Sequence, residues 1–324
     1  MKRKLFQNAG WVVAILLLCA LSMRAQTQAQ PGQSTPGARP RVLIVVAHPD
    51  DESCFSVTVY EITHNLGGTV DQLVITNGEG GYKYALLAEP YYHAPLTEEA
   101  VGRAMLPEIR KQELMNSGKI LGIANEFFLD ERDVRYTLDV DEVLSQHWHA
   151  GVVLDEVTRR LEDGKYDFVL TLFPNAATHG GHKAAAITAM NAVEQLQASR
   201  PVVLGCLDSS SKDTEPLDWS GFKSAAHSFS VGAERYSVDR AVKFGFENAL
   251  DYQIIANWVI AEHKSQGAFQ MDMNRFDRES FSILETGTPS APARAQELFQ
   301  RLSETAAHPV TPSEPSLVPA PAPH

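Results

Sequence analysis

Residues 42–53 read VLIVVAHPDDES, a hydrophobic run that passes without a break into His48, Pro49, Asp50, Asp51 and Glu52. Val42–Val46 carries no polar residue on either face, the pattern of a strand buried on both sides, as in a parallel sheet covered by helices. The imidazole and three carboxylates at its end are side chains that hold a cation.

The same succession recurs along the chain. TVDQLVITN (69–77), NEFFLDE (125–131), YDFVLTLFP (166–174) and RPVVLGCLD (200–208) read as further strands. Helical patterns cover 53–66, 97–121, 140–164, 182–198 and 249–266, and GEGGYKYALLAEPYYHAPL (78–96) reads as a long loop. Such alternation predicts an α/β fold, a Rossmann-like, mainly parallel sheet flanked by helices, in a single catalytic domain over 41–290. Ligands of such folds collect beyond the carboxyl ends of the strands. HPDDE, NGEGGY, DERD and PNAATHGGH each follow a strand, so four polar loops converge on one rim.

The ends read differently. MKRK followed by WVVAILLLCALSM has the form of a signal peptide, predicted over 1–29, with a flexible leader over 30–40. The 13-residue apolar run is short for a membrane span, which needs about 20 residues. Export to the periplasm or outside the cell is therefore expected, with an N-terminal membrane anchor as the alternative. Residues 291–324 read as a Pro/Ala-rich tail, disordered at its end. The chain carries a formal charge of −12, and cleavage after residue 29 leaves 24 basic against 40 acidic side chains, or −16. A body that acidic is a poor partner for nucleic acid. Cleavage also removes Cys19, leaving Cys54 and Cys206, which read as buried thiols rather than a thiolate metal cluster.

His48 and Asp51, three apart at a strand-to-helix turn, can face one point and suit Zn²⁺, with Fe²⁺ or another divalent ion as the alternative. A catalytic zinc needs about three protein ligands and one open position. THGGHKAAA supplies the third from His179 or His182, at the entrance of another helix. Asp50 then stands beside the ligands as a base for water, and the remaining histidine stabilises an oxyanion or protonates a leaving amine. Metal, base and electrophile together specify hydrolysis of an amide or ester. Arg110 and Glu79 are candidate substrate-binding residues. Arg110 lies one turn from Glu113, so an intrahelical ion pair is its structural alternative.

VVAHPDDES, TNGEGG, RKQELMNSGKILGI, HGGHKAA and AEHKSQ together resemble the PIG-L/LmbE family of zinc-dependent de-N-acetylases, from about Arg41 to Gln266. That family includes the N-acetylglucosaminyl-phosphatidylinositol, mycothiol-pathway and bacillithiol-pathway deacetylases. The resemblance implies zinc held by His48, Asp51 and His182, with Asp50 as general base and His179 as the partner of the tetrahedral oxyanion. It also implies a small-molecule or glycan substrate bearing an acetamido group. Many members read HPDH where this chain has His179-Gly180-Gly181-His182, so an Asp that could orient a histidine is missing. Ala177 stands where the mycothiol branch has a tyrosine. A non-catalytic, metal-containing carbohydrate-binding protein on the same fold is the alternative of another class, and another metal-assisted ester or amide hydrolase is a third.

Overall fold

A computed structural model describes residues 38–224 and 226–307. The signal segment expected over 1–29, most of the leader and residues 308–324 lie outside the described residues. Among the described residues no helix is long and apolar enough to cross a membrane.

The core is a seven-stranded sheet. Its first five strands are β1 (Arg41–Val46), β2 (Thr69–Thr76), β3 (Asn125–Glu131), β4 (Phe168–Leu172) and β5 (Val202–Ser209). Then come β6 (Ser230–Asp239), a small ladder of β7 (Lys243–Phe244) with β8 (Leu250–Asp251), and β9 (Arg278–Glu285). The sheet order is β3-β2-β1-β4-β5-β9-β6, with the first five parallel, β9 antiparallel to β5 and β6 antiparallel to β9.

The continuous apolar run of β1 has a direct cause. Val42, Ile44 and Val46 face one hydrophobic cluster while Leu43 and Val45 face the other, so both sides of the strand are covered. The first cluster lies under α1 (Ser56–Tyr60), α2 (Glu99–Leu121), α5 (Gln253–Glu262) and α6 (Ala291–Ala306). The second lies under α3 (Ala150–Gly164) and α4 (Gly180–Gln195). β2 lies on one side of β1 and β4 on the other, so chain order reverses at the β1/β4 boundary. That crevice is where open α/β sheets bind ligands, and the loops after β1 and β4 carry HPDDE and HGGH.

The structure corrects four expectations. Residues 79–92 are not a loop: Glu79–Ala88 forms a 3₁₀ segment and Glu89–Tyr92 a short helix, because Tyr82, Ala85 and Ala88 pack on Leu96 and Leu106. The helix expected over 140–164 breaks at Trp148, whose backbone is extended. β6 and β9 lie where no strand was expected. The domain does not stop at 290, since α6 buries Ala295, Leu298, Phe299 and Leu302 in the first cluster. Cys54 and Cys206 are free, buried thiols, and Cys206 Sγ donates to the Cys54 carbonyl at 3.4 Å.

Candidate metal centre

The turn after β1 is folded around Asp51. Its Oδ2 accepts from the N–H groups of Ala47 at 3.0 Å and His48 at 2.8 Å, which turns Oδ1 toward His182 Nε2 at 3.1 Å. His182 sits in the first turn of α4, where the Thr178 hydroxyl bonds its Nδ1 at 2.8 Å and leaves Nε2 facing the crevice. His48 Nδ1 lies 3.1 Å from His182 Nε2 and 3.6 Å from Asp51 Oδ2. Donors about 2.0–2.1 Å from a tetrahedral zinc stand about 3.3 Å apart; the two histidine nitrogens are near that spacing, and the Asp51 carboxylate approaches each of them through a different oxygen. The ligand nitrogens of His48, His179 and His182 also lie within 4.8 Å of one another. In that second donor set His179 Nδ1 already accepts from Gly181 N at 3.1 Å.

The charges suit a cation. Burial works against a charged His48, but the Asp51, Asp133 and Asp50 carboxylates prevail and raise it to about 9. Burial likewise opposes ionisation of Asp51, yet His182 and His48 hold its carboxyl well below the usual range. Burial, with His48 and His182 beside it, pushes His179 down to about 3. A neutral His179 whose Nδ1 accepts carries its proton on Nε2. The metal-free cluster thus keeps a proton on His48 that a divalent ion would displace.

Asp50 stands beside these donors, and Arg110 holds it. Arg110 Nη2 lies 2.9 Å from Asp50 Oδ2, and Nη1 donates to the Gly78 carbonyl at 2.8 Å. Gly78 has φ +67°, and a Cβ there would come within 2.6 Å of Arg110 Nη1, so glycine serves both the backbone and the guanidinium. The intrahelical alternative for Arg110 fails. Glu113 instead accepts from Ser265 N at 2.9 Å, Ser265 Oγ at 2.6 Å and Tyr92 OH at 2.7 Å. Arg110 does line the cavity. Glu79 does not: it meets Arg132 Nε at 2.8 Å and Arg103 Nη1 at 3.5 Å behind the wall. Glu79, expected to bind substrate, thus meets Arg103, which lines the cavity.

Glu52 turns away from the crevice, where its Oε1 meets His263 Nε2 at 2.6 Å and the Ser117 hydroxyl. Both Glu52 and His263 are fully buried, so HPDDE and AEHKSQ are joined inside the fold. His147 and His149 pair separately with Glu142 and Glu131. Sequence reasoning passed over Asp133, which lines the cavity with Oδ1 3.9 Å from His48 Nε2. Its signal was its place in DERD on the rim. The glycines of HGGH are sterically required. A Cβ at Gly181 would lie 2.9 Å from His179 Nδ1 and 3.2 Å from His48 Cε1, and the Gly181 N–H orients His179 where an Asp is missing.

The cluster opens into a cavity of about 470 Å³ with Tyr82, Tyr136 and Phe269 in its walls and Asp208 and Gln266 among its polar groups. That size takes a small ligand. Residues 43–193 match the PIG-L family, described as GlcNAc-PI de-N-acetylase. The matched segment is just under half of the chain. It contains His48, Asp50, Asp51, Arg110, His179 and His182. A probable N-acetyl-α-D-glucosaminyl L-malate deacetylase 2 of Bacillus subtilis (strain 168) is 27% identical over 143 residues, 44% of this chain and 56% of that protein. The match thus spans about half the length of that relative. Among solved structures, a triple mutant of a deacetylase of the teicoplanin biosynthetic pathway, Orf2*T, is similar with a TM-score of 0.50 at 15% identity, over 76% of this chain and 99% of that one. GalB, the 4-carboxy-2-hydroxymuconate hydratase of Pseudomonas putida KT2440, also reaches 0.50 at 14% identity, over 75% and 95%. These two share the fold with this chain and differ in reaction, so the reaction must be argued from the site.

Proposed function

We propose that the protein is a zinc-dependent N-deacetylase that hydrolyses the acetamido group of an N-acetylglucosamine-type substrate. The observation that carries this reading is a carboxylate, Asp50, held by Arg110 in one cavity with the clustered side chains of His48, Asp51 and His182. The sugar class rests on the PIG-L match and the Bacillus relative.

His48, Asp51 and His182 are the residues that would hold the ion. A zinc ion held there would supply Lewis acidity toward the amide carbonyl and would lower the pKa of water to about 7. Asp50 accepts a proton as water adds to the amide carbon, and Arg110 fixes the carboxylate's aim. His179 donates from Nε2 to the developing oxyanion as a neutral group, since its depressed pKa leaves it no second proton. The proton on Asp50 then passes to the departing nitrogen as the C–N bond breaks, giving acetate and a free amine.

A non-catalytic binding module has no use for a carboxylate aimed beside the metal donors, so Asp50 and its arginine weigh against that alternative. Acetate release from a panel of N-acetylglucosamine glycosides and acylated amines tests the proposal. The expected result is release by zinc-loaded protein and a fall in kcat of about 10² or more for Asp50→Ala with zinc still bound. Stoichiometric zinc without acetate from any substrate contradicts the deacetylase reading. Export is proposed on the N-terminal sequence alone, and the N-terminus of the mature protein tests it.

A further inference from the structure

The turn that carries His48, Asp50 and Asp51 runs through a 3₁₀ turn, Asp51–Phe55, into α1. That junction is broken and cannot satisfy itself. Phe55 stands at the N-cap of α1 and has no acceptor for the free N–H groups of the first turn. Glu279 of β9 takes this place: Oε1 accepts from Val57 N at 2.9 Å, and Oε2 from Thr58 N at 2.8 Å and Thr58 Oγ1 at 2.6 Å. Arg240, just past β6, pairs with Glu279 through Nε at 3.0 Å. Its Nη2 donates to the carbonyls of Ser53 at 2.9 Å and Cys54 at 3.1 Å, on the other side of the break. Glu279 is fully buried and Arg240 nearly so.

We propose that Arg240 and Glu279 are positioning residues for the metal-bearing turn, a role that rests on the metal reading above. A buried ion pair contributes little net stability by itself, because desolvation offsets its attraction. Apart from Arg240 Nη1, which donates to the Phe276 carbonyl at 3.4 Å, the pair's other side-chain hydrogen bonds go to one stretch, Ser53–Thr58. With a rise of about 2 Å per residue in a 3₁₀ turn, the anchored carbonyls lie about 4–6 Å along the axis from Asp51. The turn is therefore pinned at both ends, by Asp51 on the Ala47 and His48 amides and by Arg240–Glu279 on the helix entrance. Between those pins Asp51 meets His182 of α4 and Asp50 meets Arg110. Both positioning residues come from the antiparallel edge, outside the PIG-L match. Misplacement of a catalytic group by about 1 Å can cost about 10² in rate, so a tie this close to the donors acts on chemistry and not only on folding.

The test compares Glu279→Gln and Arg240→Lys with the wild type in three measurements. These are zinc affinity by competition with a chromogenic chelator, kcat and KM at saturating zinc, and the thermal midpoint of the metal-free protein. In folded variants zinc affinity is expected to fall about 10–100-fold, with kcat reduced more than KM is changed. Hydrogen exchange on the wild type keeps the inference testable if the variants do not fold. Zinc is expected to slow exchange at Val57 and Thr58 more than at the amides of α3, and equal slowing overturns the inference. Folded variants with wild-type zinc affinity and kcat overturn it and leave the metal reading standing. Wild-type protein that takes up no zinc overturns both.

Discussion

β1 and β9 are both buried strands of one sheet, yet they are built from different residues. β1 buries only Val, Leu and Ile between Val42 and Val46, and its charged groups wait for the turn beyond its end. β9 buries Glu279 and Ser282 completely, with Ser280 nearly so. The difference follows from position. β1 lies at the reversal of strand order, where the loop beyond the strand meets ligand. β9 lies two strands from that crevice, pairs with the cavity-lining end of β5, and ties Glu279 to the entrance of α1. The parallel strands thus deliver the donors, while the antiparallel edge supplies ties to the backbone that carries them.

Substitutions can break or sharpen this contrast. The largest effect is expected on the parallel side, where His182→Ala removes a donor. Zinc bound per chain should fall from one to near zero, read by metal analysis after dialysis, with turnover lost. Acidity comes next. His48 must release a proton to bind zinc, so affinity should weaken about tenfold per pH unit below 9 for one displaced proton, read by chelator competition. The metal-free protein should move the other way. A histidine raised from 6.5 to about 9 contributes stability that is full below 6.5 and lost as pH rises through 9, so its thermal midpoint should fall over that window. Gly181→Ala is a smaller perturbation. Its Cβ presses on His179 and His48, and kcat at saturating zinc should drop about tenfold, short of the 10² of a full 1 Å displacement. The smallest effect on the site is expected from Leu298→Ala in α6. It should cost about 2–5 kcal/mol of stability in urea unfolding and leave kcat of the folded enzyme unchanged.

The same contrast explains what could be read from the sequence. The five parallel strands and the residues of HPDD and HGGH were legible because unbroken apolar runs and closely spaced donors are local patterns. β9 was not, since Arg-Glu-Ser-Phe-Ser presents buried polar residues that mimic an exposed segment until Arg240 and α1 are in place. α6 was hidden by the Pro/Ala composition around it, although Pro292 in its first turn is a normal helix start. Position on the rim was predictable for Glu79 but direction was not: Arg103 and Arg132 draw it behind the wall. Arg110 shows the same limit, because its partner Asp50 lies 60 residues earlier and only the fold brings them together.

The most direct test of the account is acetate release from an N-acetylglucosamine glycoside while zinc is added to metal-free protein. The account predicts a rate that rises in proportion to zinc and levels off at one equivalent, with Asp50→Ala binding the same equivalent and staying near background. Acetate released equally by metal-free protein, or a fully loaded Asp50→Ala that turns over like the wild type, would contradict it.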